Sequence, residues 1–508
     1  MSATLHQKLA ASKRRIERRL DKSILPDCSQ PIIAASNIHY EIASRTRGIA
    51  HGGIGAMHAL VGQLGLVKAI NDGLHLLKIH LPYHESDHVL NIAYNALCEG
   101  EHLDDIELRR NDVNFLDALG AHRIPDPTTA GDFCRRFSQR NINKLQDIFN
   151  QVRKRVWQQQ PEDFFDLATL DMDGTLVETT GECKQGMDIA YDGTWGYHPL
   201  VLSLANTREV LWLVNRPGNR PSHEGAAAAV DHVVAFCREA GFRRVLLRGD
   251  TDFSQSTHLD RWTEAGHFFL FGFDATPNLK DMAEDLPASA WRPLERLPPY
   301  TCQTQPRQRP DNVKEAIVRE REFDNRRLGS EDVAEFVYRP SACRHSYRMV
   351  VVRKNLSVLK GERLLFDEVR YFFYITNIIL MDSQEIVFVA NNRCNQENLL
   401  AQLQGSVRAL KAPVNTLESN WAYMVMMTLA WNLKAWWALM LPVTPGRWQE
   451  RHQQEKQWVL NLEFKTFVQA FLRLPCQIVR TGRKLVYRLL SWNPYQHIFF
   501  RLVSVLRC

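Results

Sequence analysis

Apolar residues over the first 160 positions recur every three or four residues, which is the spacing of an amphipathic helix. The segment HESDHVLNIAYNALCEGEHLDDIELRR, at 84–110, shows this pattern. The segment IPDPTTAGDFCRRF, at 124–137, predicts a turn and then a helix whose N-cap lies within Asp126–Thr129. Short helices with arginine-rich faces are common in DNA-binding modules, and a helical cap with no DNA role has the same pattern. We predict a helical DNA-binding region over 1–160.

Beyond residue 160 the apolar residues form short runs with strand character, and two of these runs end in carboxylates. FFDLATLDMDG, at 164–174, is the first strand, and RRVLLRGDTDF, at 243–253, is the fourth. Between them, YHPLVLSLAN and EVLWLVNR form a hairpin that turns at Thr207–Arg208, and HEGAAAAVDHVVAFCREAG forms a helix that ends at a glycine. A further helix and the strand HFFLFGF follow. This order of elements predicts a mixed α/β sheet.

Three features distinguish the second half of the chain. Residues 276–385 are rich in strands, such as YRMVVVRK and VRYFFYITN, and include the proline-rich stretch ERLPPYTCQTQPRQRP. NNRCNQENLLAQLQGSVRALK, at 391–411, predicts a long helix. Trp421–Leu441 has the length of a membrane span, but Asn432 and Lys434 interrupt it. We predict that this segment is a helix buried against the sheet.

Composition places the 508-residue chain among ordinary soluble globular proteins, with 45% hydrophobic and 24% charged residues. Its start lacks the apolar core of a signal peptide, and its ten cysteines are scattered, so we expect reduced thiols in the cytoplasm and no zinc site. The net charge is +6, and the ends are basic: Lys13–Arg19 reads KRRIERR, and the chain from Phe464 onward has eight Lys/Arg and no Asp or Glu. Basic ends indicate either contact with a polyanion or a solvated face.

The motif DMDGTL at 171–176 places two acids at the end of a strand. It is similar to the nucleophile loop of haloacid-dehalogenase-like phosphatases, in which the first acid, here Asp171, attacks phosphorus and the second, here Asp173, handles the proton. Such an enzyme also needs a lysine to neutralise the phosphate, and no lysine occurs between Lys184 and Lys280. The alternative is that the acids bind Mg²⁺, because phosphodiester cleavage at two ions roughly 3.5–4 Å apart needs about three carboxylates.

An ordered series of segments within 167–441 resembles the DDE transposases of bacterial insertion sequences. The series is LDMDGT, GYHPLVLSLANT, RPGNRPS, VLLRGDTDF, YFFYITN, NNRCNQENLLAQL and SNWAYMVMMTLAWNL. In that family the first acid stands in a D-[GS]-T context, which is DGT at Asp173 here, and the second in D-x-[GD]-F, which is DTDF at Asp250. The third stands in a helical Y-x2-R-x3-E-x6-K signature, which Arg393 and Glu397 match at a spacing of one helical turn.

Two positions of this signature differ from the family. Ala390 stands at the tyrosine position and Gln404 at the lysine position. Arg408, one helical turn after Gln404, is the predicted substitute contact to a phosphate. The resemblance implies that two Mg²⁺ ions, or Mn²⁺ in their place, bind Asp173, Asp250 and Glu397, and that Arg393 contacts DNA phosphate. Asp171 and Asp252 are the alternative ligands, or hydrogen-bonding neighbours of the ligands, because each shares a strand face with its partner acid.

The resemblance implies a ribonuclease-H-like mixed α/β sheet, in which the first and fourth strands are neighbours, with a β-rich insertion and an α-helical N-terminal region. The implied units are a DNA-binding region at 1–160, a catalytic domain at 161–275 and 386–445, the insertion at 276–385 and a basic region at 446–508. The implied partner is double-stranded DNA, bound at terminal inverted repeats by a homodimer in the bacterial cytoplasm, at the nucleoid. Neither a membrane nor a nucleotide cofactor is expected. The alternatives are the phosphatase and a relative that binds DNA without cleaving it.

Overall fold

The computed structural model describes residues 3–21, 38–42, 46–80, 82–296, 317, 320–321, 324–360, 363–482 and 484–506, so the proline-rich stretch after residue 296 lies outside them. The helices are α1 Ala3–Arg19, α2 Gly53–Gln63, α3 Leu66–Gly73, α4 Glu85–Leu97, α5 Ile106–Arg110, α6 Val113–Leu119, α7 Pro127–Cys134, α8 Gln139–Trp157, α9 Ala226–Ala240, α10 Ser256–Glu264, α11 Pro277–Glu284, α12 Ser383–Asn391, α13 Cys394–Gln404, α14 Leu417–Leu439, α15 Gln449–Asn461, α16 Phe464–Phe467 and α17 Gln496–Val503. The strands are β1 Gly48–Ile49, β2 Leu167–Gly174, β3 Val177–Glu178, β4 Asp188–Ile189, β5 Trp195–Tyr197, β6 Leu200–Leu204, β7 Glu209–Val214, β8 Arg244–Gly249, β9 Phe268–Phe273, β10 Arg292–Pro293, β11 Asp324–Tyr338, β12 Tyr347–Lys360, β13 Arg363–Thr376, β14 Cys476–Thr481 and β15 Lys484–Leu489.

The central sheet has nine strands in the order β10-β11-β12-β13-β9-β8-β2-β6-β7. The pairs β2–β8 and β8–β9 are parallel, whereas β2–β6 and β6–β7 are antiparallel. A first strand with an antiparallel hairpin on one side and two parallel strands on the other is the ribonuclease-H arrangement. The predicted α/β class is therefore confirmed, and so is the hairpin, whose turn holds Arg208 at φ 58°.

The strand-rich segment continues the same sheet. Its three long strands form antiparallel ladders, and β13 pairs with β9 through Phe373 and Phe273. One face of these strands packs on α12, where Ile386 and Val387 are fully buried. The strands β2 and β6–β9 and the strands of the segment at 276–385 thus share one hydrogen-bonded layer.

Helix α14 is buried from Ser419 to its end at Leu439, which confirms the prediction of a buried helix for Trp421–Leu441. It packs against α4, α8 and β7. The two polar residues of this helix have hydrogen-bond partners. The Asn432 side chain accepts from the Val210 N–H and donates to the Val210 carbonyl, both at 3.0 Å. Lys434 Nζ donates to the Leu460 carbonyl at 2.8 Å. Burial lowers the pKa of Lys434 to about 7.

Hydropathy and length identify no single helix among the described residues that could cross a membrane. One bent pair, α2 with α3, passes the same test by length and composition only, with an angle of 58° between the two helices.

The N-terminal helices are joined to the sheet by a buried ionic cluster. Arg153 of α8 donates to Glu209 of β7 at 2.8 Å, and the indole N–H groups of Trp157 and Trp436 also donate to Glu209. All four side chains are buried. Helix α7 begins as predicted, because the Asp126 carboxylate accepts from the Thr129 N–H at 2.8 Å.

The segment around residue 48 meets the C-terminal region. Strand β1 pairs with β14, which pairs with β15, so the basic C-terminal region forms a small sheet with residues near the start of the body. The approach is close: a Cβ added at Gly53 would lie 1.9 Å from the Phe471 carbonyl oxygen. A side chain at Gly53 would separate the two segments.

Candidate active site

The first two candidate acids lie side by side at the carboxyl edge of the sheet. Strands β2 and β8 run parallel with Asp171 opposite Arg248, so the acids two residues further along, Asp173 and Asp250, come next to each other. Strand β2 ends one residue after Asp173, and β8 ends one residue before Asp250. The Asp250 carboxylate accepts from the Asp252 backbone N–H at 3.1 Å, which caps a short 3₁₀ turn and fixes its orientation.

The third acid, Glu397, lies in the first turn of α13. Arg393, at the N-cap of this helix, connects the acids: its Nη1 is 3.1 Å from Asp173 Oδ2, and its Nη2 is 3.4 Å from Glu397 Oε1. Glu397 keeps 60% of its side chain exposed, whereas Asp173 keeps 13%. The sequence spacing therefore brings the predicted arginine and glutamate to the predicted aspartate.

Two glutamines hold α13 in place, and sequence reasoning gave neither of them this role. The Gln396 side chain is buried and donates to the Val201 carbonyl of β6 at 3.1 Å. Gln404 donates to Thr175 Oγ1 at 2.7 Å and to the Leu176 carbonyl at 3.1 Å. Gln404 stands where the related signature has lysine, and it ties the end of the helix to the DGT turn. The only sequence signal was the polar residue inside an apolar helical stripe at Gln396.

The predicted long helix over 391–411 is wrong, because α13 ends at Gln404. Gly405 follows, and Arg408 adopts φ 59°, which a continuous helix excludes. Arg408 is therefore not on the next turn of the same helix. It forms an ion pair with Glu101 at 3.0 Å and, together with Gln404, lines a groove of about 570 Å³.

Asp171 has a structural environment unlike that of Asp173. It is 1% exposed, and its two oxygens accept from Arg248 Nε at 2.7 Å and Nη2 at 2.8 Å. Arg248 also donates to the Val389 carbonyl of α12 at 2.8 Å. Asp252, by contrast, is exposed and contributes its backbone N–H to Asp250. Both oxygens of Asp171 are thus occupied by one guanidinium.

The surroundings of Asp173 and Asp250 disfavour their ionised forms. Burial raises the pKa of Asp173 to about 7, and the charges of Asp250 and Glu397 act in the same direction, while Arg393 opposes them. Burial also raises the pKa of Asp250. A divalent cation would relieve this repulsion, and carboxylate oxygens are the ligands that Mg²⁺ prefers.

The donor set fits a divalent cation in chemistry and in charge. Within the described ranges, however, no three Asp, Glu, His or Cys side chains are close enough together to hold a metal ion as they stand. The Arg393 guanidinium lies between Asp173 and Glu397 in this structure and supplies the positive charge there.

Asp173→Asn is expected to stabilise the metal-free protein at pH 8, on the order of 2 kcal/mol, and to have little effect near pH 4. The pKa of Asp173 is about 7 in the folded chain and 3.8 for the unperturbed group. Between pH 3.8 and pH 7, Asp173 is therefore protonated in the folded state and ionised in the unfolded state. The free energy of unfolding falls as pH rises through this range, and the full loss is reached above pH 7. Loss of the Arg393 ion pair reduces the gain. Melting temperatures in EDTA across this range test the prediction, and a pH-independent difference would contradict it.

A ribonuclease-H-like sheet with acids at the ends of its first and fourth strands and on a later helix is typical of DDE-type enzymes, which cut and join nucleic acid. The family described as Transposase DDE domain group 1 matches residues 47–508, and the chain belongs to this family. This result confirms the predicted DDE transposase resemblance and makes DNA transposase the functional class, with DNA binding and recombination as its activities. The family generally uses divalent metal ions.

The other comparisons are distant. None of the curated proteins compared with the chain matches it. Among solved structures, the chain is similar to a piggyBac transposase synaptic complex with hairpin DNA, with 10% identity, 92% of this chain and 88% of that chain covered, and a TM-score of 0.38.

Proposed function

We propose that the protein moves a DNA element whose terminal inverted repeats it binds as a homodimer. It hydrolyses a strand at each end to free a 3′-hydroxyl, which then attacks target DNA. The observation that supports this proposal is the adjacent position of Asp173 and Asp250 at the carboxyl ends of two parallel strands, with Arg393 contacting both Asp173 and Glu397, in a chain of the transposase family. A bacterial insertion sequence is the proposed source of the element.

Asp173, Asp250 and Glu397 would hold two Mg²⁺ ions, or Mn²⁺, and the ions would supply activation of the attacking oxygen and charge stabilisation of the leaving oxygen. Arg393 has a second role in this scheme. Its guanidinium donates to two carboxylates in the DNA-free protein, and the same planar group can donate two parallel hydrogen bonds to a phosphate. Arg408, which is ion-paired with Glu101 in this groove, is the further proposed phosphate contact.

The position of Asp171 argues against the phosphatase alternative, because Asp171 would be its nucleophile. Asp171 would have to attack phosphorus, but it is 1% exposed and both of its oxygens accept hydrogen bonds from Arg248. A nucleophile must reach its substrate, and a carboxylate paired in this way does not. The antiparallel hairpin after β2 also differs from the parallel crossovers of that enzyme class.

The test uses the full-length protein and a DNA fragment that contains the coding region with its native flanks. With Mg²⁺ we expect strand cleavage at defined positions on both flanks, free 3′-hydroxyls and joining to a target plasmid, and none of these in EDTA. Turnover of p-nitrophenyl phosphate should be negligible. Robust monoesterase activity that Asp171→Asn removes would sink the proposal. Specific binding of both flanks without cleavage under Mg²⁺ or Mn²⁺ would identify the non-cleaving relative.

A further inference from the structure

The C-terminal hairpin β14–β15 has two different faces. The register places Cys476 opposite Leu489 and Ile478 opposite Tyr487 on the inner face. The outer face carries three pairs, which are Gln477 with Arg488, Val479 with Val486, and Thr481 with Lys484. Because β1 covers the other side of β14, β15 is the edge strand of this small sheet. Lys484, Val486 and Arg488 are exposed.

The hairpin is held rigidly on the body. The Ile478 N–H donates to the Arg47 carbonyl at 2.9 Å, which anchors the base of β14. Arg480, near the tip, donates to Asp117 at 2.7 Å, and Arg47 donates to the other oxygen of the same carboxylate, also at 2.7 Å. The outer face is therefore presented in a fixed orientation, with its donors projecting away from these contacts.

The charge of this face is one-sided. The hairpin itself carries no Asp or Glu, and the charged residues of its outer face, Lys484 and Arg488, are both basic, whereas helix α15 mixes both signs within QERHQQEKQWVLN. Protein surfaces ordinarily intersperse the two signs, and charged side chains on an edge strand also serve to prevent edge-to-edge aggregation. A face with lysine, arginine, glutamine and threonine around a Val–Val pair, and with no acid of its own, is better suited to binding a polyanion than to exposure to solvent alone.

We propose that the outer face of β14–β15 docks against duplex DNA, as a β-ribbon in a groove. This inference rests on the proposed function and adds a contact surface outside the acidic site. Six residues at about 3.3 Å each make a ribbon roughly 20 Å long, and B-DNA's major groove, about 12 Å wide, admits two strands. Lys484 and Arg488 bind DNA phosphates. Gln477 and Thr481 form hydrogen bonds with the polar edges of bases, and the Val479–Val486 pair contacts apolar groups such as thymine methyls.

The test compares the full-length Lys484→Ala/Arg488→Ala variant with a control, Lys68→Ala/Arg344→Ala. The control removes two charges that are 80% and 76% exposed on other elements. Binding to a 40-base-pair duplex is titrated against salt. We expect the hairpin variant to bind about 10- to 100-fold more weakly near 100 mM salt, and its slope of log K against log salt to shrink by about 1 to 2, while the control changes little. Hydroxyl-radical footprints should lose one protected segment.

Two outcomes would overturn the inference: wild-type affinity and slope in the hairpin variant, or an equal loss in the control. In both cases the proposed function stands, provided that the wild-type protein still cleaves its flanking DNA. If the wild-type protein binds no DNA, the proposed function fails together with the inference. Should the alanine pair melt early, Lys484→Gln/Arg488→Gln keeps the side-chain length and removes the charge, and the same outcomes apply.

Discussion

Alanine at Asp173, Asp250 or Glu397 is expected to abolish strand cleavage and joining, by about 10³-fold or more in rate for each. Each acid is proposed to hold an ion that stabilises charge in the transition state, so its loss raises the barrier by several kcal/mol. Binding to DNA should survive, because the phosphate contacts come from Lys and Arg. It can even tighten, since each acid removed lessens repulsion with DNA.

The measurement is single-turnover cleavage of the flanking DNA, alongside equilibrium binding to the same fragment. Asp252→Ala is the matched control, because Asp252 is exposed and gives Asp250 only its backbone N–H, which alanine keeps. Residual cleavage in this variant is expected. If Glu397→Ala cleaves at the wild-type rate, the third acid lies elsewhere, with Glu385 and Glu418 the next to test. Both lie in the first turn of a helix, Glu385 in α12 and Glu418 in α14.

The parts of the site that follow from strand order were predictable from the sequence. Two apolar runs that each end in carboxylates, separated by a hairpin and a helix, fit a sheet in which the first and fourth strands are neighbours. The structure has that order, and Asp173 and Asp250 become adjacent through the β2–β8 register. The contact between Arg393 and Glu397 was predictable from their four-residue spacing, because an α-helix places residues four apart on one face.

The end of α13 was not predictable from its apolar pattern. Apolar residues continue at helical spacing after Gln404, through Val407 and Leu410, and both are buried. They are buried in a compact turn, where the Val407 N–H donates to the Gln402 carbonyl and the Leu410 N–H to the Leu403 carbonyl. Periodicity reports burial, and it does not report which backbone conformation achieves the burial.

Contacts between segments that are distant in the sequence were also not predictable. The pairing of β1 with β14 joins residues more than 400 positions apart, and a two-residue strand has no sequence pattern that predicts its partner. The Asp171–Arg248 pair is of the same kind, since it depends on the register of two strands 77 positions apart. Without that register, Asp171 and Asp173 are equivalent acids on one strand face.

That pair leads to the second large effect, which concerns stability. Asp171→Ala is expected to lower the free energy of unfolding by about 3–5 kcal/mol, because it leaves the Arg248 guanidinium, itself 5% exposed, buried without its counter-charge. Urea or thermal unfolding of the metal-free protein measures the loss. Cleavage per folded molecule at low temperature should remain measurable, since Asp173 keeps its own contact with Arg393.

The double variant Asp171→Leu/Arg248→Met separates a structural pair from a metal ligand. Removing both charges and filling the space with apolar side chains is often neutral in stability, so this variant should recover most of what Asp171→Ala loses. It should also cleave, within the limit set by the lost bond from Arg248 to the Val389 carbonyl, which helps to hold α12 beside the sheet. The opposite pattern, full stability in Asp171→Ala with no cleavage, would make Asp171 the ligand and Asp173 its neighbour. The two-metal proposal would then stand with the other acid of the motif.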